Sequence, residues 1–211
     1  MSQAPKNPKP WITFVLAVAI VAVGWPLAEA RIDSRPDLRH PAIIDSAYFA
    51  FALWAGSVLL QLQTPRAEWS ADGSAFRVAR AAWIAGCAVF LVHLGLAFHL
   101  AHGWSHANAF EHVERSSGFG PGIFVSYAFA LIWIADSAMW RLGPVRYARR
   151  SKWIAHSVHG FMAFITFNAT VVYGLSALRW VAAAAFALLL GQWLKDRILA
   201  RTAPRPLGAE R

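Results

Sequence analysis

The sequence predicts an all-α integral membrane protein: a bundle of six transmembrane helices, or five if the first is a cleaved signal peptide. Three observations predict it. Only 15% of the 211 residues are charged, where a soluble domain carries about a quarter. Mean hydropathy is +0.41, and the apolar residues gather into runs long enough to cross a bilayer. Eleven tryptophans are many for this length, and indoles favour the headgroup level of a membrane. The alternating strands of an outer-membrane barrel are absent.

The first span, 11–28, follows Lys6 and Lys9. Its end, Ala28-Glu29-Ala30 after Trp25-Pro26, is also compatible with signal-peptide cleavage. A polar loop with two prolines leads to the second span, 42–62. The segment "QTPRAEWSADGSAFRVAR" is another polar loop, and a third span covers 81–101. Its exit, "VERSSGFGPG", reads as a loop or a helix start. The fourth span is 123–140, and "RLGPVRYARRSK" is a basic connection. The fifth and sixth spans, 153–175 and 177–194, form an antiparallel hairpin around "YGLSALRW". Residues 195–211 are a polar tail, so the whole chain is one helical membrane domain.

Six crossings put both termini on one side. Of the 20 Lys and Arg residues, all but Arg31, Arg35, Arg39, Arg115 and Arg179 fall on that side. By the positive-inside rule the termini are cytoplasmic, in a bacterial-type inner membrane. The net charge of +9 then reflects topology and contact with anionic lipid rather than nucleic acid. The expected partners are the bilayer and other membrane subunits. One cysteine, Cys87, excludes an internal disulfide and any thiolate metal box.

The stretch "FHLAHGWSHANAFEH" (98–112) brings His99, His102, His106 and His112 to the non-cytoplasmic edge of the third span. On a continuous helix His99, His102 and His106 form one stripe. His112 and Glu111 join it only if the chain folds back, which Gly103 and Asn108 permit. Neutral imidazoles converging in this way suit copper, iron or zinc, with Glu111 or His112 completing the shell. At the other end, Asp136 stands within reach of His156 and His159 as a second polar site. His93 with His159 is the best internal pair for haem b. The equal spacings His93–His106 and His99–His112 resemble the two-haem helices of membrane b cytochromes, but no other helix supplies a matching pair. The strings "HGWSH" and "EH" resemble the boxes of membrane diiron hydroxylases, whose clusters face the cytoplasm, opposite to the orientation here. The leading expectation is a redox-related metal site. An accessory subunit of a membrane complex and a b-type haem electron carrier are the alternatives. Gly and Pro cluster at helix ends, with Gly56 and Gly86 as interior exceptions, which disfavours a transport path.

Overall fold

The computed structural model describes residues 41–65, 69, 73–174 and 177–202. The expected first span over 11–28 lies outside the described residues. Regular structure among the described residues is entirely helical. Helix α1 is Pro41–Gln63 and α2 is Ser74–Leu96, continued by a π-helical turn, Ala97–Ala101. The chain reverses into a short helix, α3, His106–Ser117, and enters α4, Gly122–Leu142. A five-residue helix, α5 (Pro144–Ala148), begins with proline, whose missing N–H costs nothing at a helix start. Helix α6, Lys152–Phe167, also runs into a π-helical turn, Asn168–Val172, and α7 is Leu178–Thr202.

Three of these helices are long and apolar enough to cross a membrane: Ala42–Gln63, Ser74–Ala101 and Gly122–Leu142. They overlap the second, third and fourth expected spans. The fifth and sixth expected spans are also helical, but His156 and His159 dilute the apolar run of α6, and Lys195 and Asp196 enter the last turns of α7. The 28 residues of Ser74–Ala101, at about 1.5 Å each, exceed a hydrocarbon core of about 30 Å.

Helices α1 and α2 pack antiparallel along the most extensive interface. Ser57 Oγ–H donates to the Ala79 carbonyl at 2.7 Å near one end. At the other end His93 Nδ1–H donates to the Ile43 carbonyl at 2.9 Å. Apolar association is weak between helices in lipid, so close packing decides. Gly86 supplies it: a Cβ there would stand 3.0 Å from the Trp133 ring and 3.2 Å from Leu53. The gap on α4 is filled by a column of aromatic rings. Trp83 meets Trp133 edge-on at 5.8 Å, and Trp140 lies flat on Tyr147 at 4.3 Å. Trp83, Trp140 and Tyr147 are completely buried.

Candidate functional site

The histidine-rich end is shaped by a chain reversal. The helix stops at His102, and Gly103 (φ 55°) and Trp104 (φ 61°) take left-handed backbone conformations. Trp104 N–H donates to the Phe98 carbonyl, closing the end of the helix. Ser105 then caps α3 by accepting from Asn108 N–H. The expected continuous stripe is thus cut between His102 and His106. His99 is turned to the indole of Trp104, whose Nε1–H donates to His99 Nδ1 at 3.2 Å. That bond occupies the Nδ1 lone pair of His99 and turns the ring toward Trp104. His106 Nδ1 lies 2.9 Å from the Tyr127 hydroxyl.

The fold-back does bring His112 to His102, with ring centres 5.2 Å apart. Burial and the neighbouring His112 push the His102 pKa down, which keeps that imidazole neutral. Glu111 is exposed and faces Arg115 at 3.9 Å. No group of three or more His, Cys, Asp or Glu side chains among the described residues stands close enough to hold one metal ion. Asp33, Asp37 and His40, which the sequence places on this side, lie outside the described residues.

The opposite end holds a cavity of about 590 Å³ between α1, α6 and α7. Its wall is mostly apolar, with Trp54, Trp69, Phe186 and Trp193 among its aromatic members. Asp136 sits beside it in the core, and its partners differ from those expected. Its carboxylate pairs with Arg150 and accepts the Tyr147 hydroxyl proton at 2.9 Å. Arg150 also donates to the Tyr147 oxygen at 2.9 Å, and its guanidinium lies over the Tyr147 ring, 3.8 Å from the centre. Burial and the Asp136 charge push the Tyr147 pKa far above its ordinary value.

His159 does not bond Asp136. Its Nδ1 lies 2.9 Å from the Ala155 carbonyl and its Nε2 lies 3.0 Å from the Gln61 side-chain amide, while Gln61 Nε2 donates to Ser57 Oγ at 3.2 Å. The imidazole also stacks on Trp83 at 5.3 Å. His156 is exposed and donates from Nδ1 to the Lys152 carbonyl. The haem pair separates as well. His93 is held at Ile43 and His159 at Gln61, positions about 27 Å apart along α1 at roughly 1.5 Å per residue. One iron cannot bridge them.

Arg150, Tyr147 and Gln61 are the members of this end that sequence reasoning missed. The signal for the first two was Asp136 itself. A carboxylate inside an apolar helix needs a cation, and the basic connection directly downstream supplies one. Gln61 had no such signal. Comparisons with protein-family models, curated proteins and solved structures return no match for this chain.

Proposed function

We propose that the protein is a helical membrane protein that binds a lipid-soluble small molecule in the cavity between α1, α6 and α7. The observation that carries this reading is the cavity: about 590 Å³, within the roughly 300–1,000 Å³ of ligand sites. It has apolar walls and a few polar groups gathered in one place. Leu190 and Trp193 line it and are also exposed, at 56% and 40%, so its rim continues into the apolar outer surface. The asymmetry of basic residues supports an inner membrane with both termini cytoplasmic, and the cavity then opens at the cytoplasmic end.

Gly160 lines the cavity, and a Cβ added there meets nothing within 4 Å. Gly160→Leu therefore adds apolar bulk at the cavity wall from a position where a Cβ is tolerated. Native mass spectrometry of the purified protein is expected to show a bound small molecule that the Gly160→Leu variant loses. Equal retention by both would refute the reading.

A second reading concerns the other end, where one observation favours a transition metal. Two imidazoles bound to a tetrahedral ion at about 2.0–2.1 Å place their ring centres roughly 5 Å apart, and His102 and His112 stand at 5.2 Å. Copper, iron or zinc would then need Glu111 or another group to complete the shell. Elemental analysis of the protein and of a His102→Ala, His112→Ala variant tests it, with metal expected in the first alone.

A further inference from the structure

Resting on the cavity reading, we infer that the ligand is a neutral, flat ring compound bearing carbonyl oxygens, of the quinone class. The donors left over beside the cavity carry this. Both oxygens of Asp136 already accept, one from Arg150 and one from the Tyr147 hydroxyl.

Donors are left over. Arg150 has five N–H groups, and its two bonds among the described residues go to Asp136 and Tyr147. Arg150 lines the cavity, so its unused N–H groups favour a molecule that brings acceptors.

Charge narrows the class. The guanidinium of Arg150 is already neutralised by Asp136, with side-chain exposures of 6% and 3%. An anionic headgroup would compete with that carboxylate, whereas a carbonyl oxygen accepts a hydrogen bond and brings no charge. The walls narrow it further. Trp54 and Phe186 stand 5.6 Å apart, and Trp69 and Trp193 add two more indoles. Flat aromatic surfaces favour a flat partner over a bare acyl chain.

The test uses the full chain in detergent micelles, with equilibrium dialysis of three labelled probes sharing a ten-carbon tail: decyl-benzoquinone, decanoate and decanol. The quinone is expected to bind at one per chain and at least tenfold more tightly than the other two. Gly160→Leu is expected to abolish its binding. The paired variant Asp136→Leu, Arg150→Met, which removes both charges together, is expected to weaken it about tenfold. Tighter binding of decanoate or decanol than of the quinone overturns this inference and leaves the cavity reading standing. Absence of binding by all three probes, with no difference between the parent and Gly160→Leu in co-purifying molecules, overturns both.

Discussion

Replacing Asp136 by Asn probes the pair that closes the cavity end. The Arg150 and Asp136 side chains are 6% and 3% exposed, so the substitution leaves a guanidinium buried without its counter-charge. Loss of one partner of such a pair costs about 3–5 kcal/mol. At roughly 1.4 kcal/mol per factor of ten, the unfolded fraction rises by between two and four orders of magnitude. The neutral pair Asp136→Leu, Arg150→Met removes both charges and conserves volume, and buried ion pairs replaced in this way are commonly neutral or more stable. The double variant is therefore expected to recover part of the loss, the remainder being the cost of leaving the Tyr147 hydroxyl without its two partners. Arg150→Lys keeps the charge but loses the second donor to Tyr147, and is expected to fall between. Unfolding by SDS titration in mixed micelles, followed by far-ultraviolet circular dichroism, measures all four proteins. The reasoning is refuted if Asp136→Asn unfolds at the parent's midpoint, or if the double variant is less stable than Asp136→Asn.

Gly86→Leu forces a side chain into the contact with Trp133 and Leu53, and the same titration is expected to show a loss of about 1–3 kcal/mol. Tyr147, with its raised pKa, contributes stability that is present below the unfolded tyrosine pKa of about 10 and is lost as pH rises beyond it. In an alkaline absorbance titration Tyr147 is expected to stay protonated until the protein unfolds, and Tyr147→Phe to lower the amplitude of that late step by one tyrosine. His102 has the opposite sign. Its lowered pKa means that its contribution is present above the unfolded histidine value of about 6.5 and fades as pH falls below it. Proton NMR of the ring signals is expected to place His102 below an ordinary histidine, and His112→Asn to raise it part of the way, because burial is the larger cause.

The long apolar runs made α1, α2 and α4 legible in the sequence, since their composition alone decides helix in lipid. Helix α6 was legible as a helix, and the polar residues His156 and His159 that weaken its apolar run were equally visible in the sequence. The histidine stripe misled for a geometric reason. Helical periodicity places His99, His102 and His106 together only while the helix continues, and the non-glycine left-handed residue Trp104 carries no strong sequence signal for where it stops. The fold-back that pairs His102 with His112 was foreseeable from Gly103. The cavity was not, since its polar members come from positions as distant as Gln61 and His159, and no local pattern joins residues that far apart.

The ring column between α2 and α4 also governs how this protein interacts with light. Trp83 lies 5.8 Å from Trp133 and 6.2 Å from Trp140, and Trp69 lies 6.4 Å from Trp140. Indoles so near one another share excitation before any of them emits, so a photon absorbed at one leaves from another. The emission of these four indoles is then shared among them, with its polarisation scrambled, alongside that of the seven others among the eleven tryptophans. A spectroscopic reporter at a single position within the column requires the other ten indoles to be exchanged for phenylalanine.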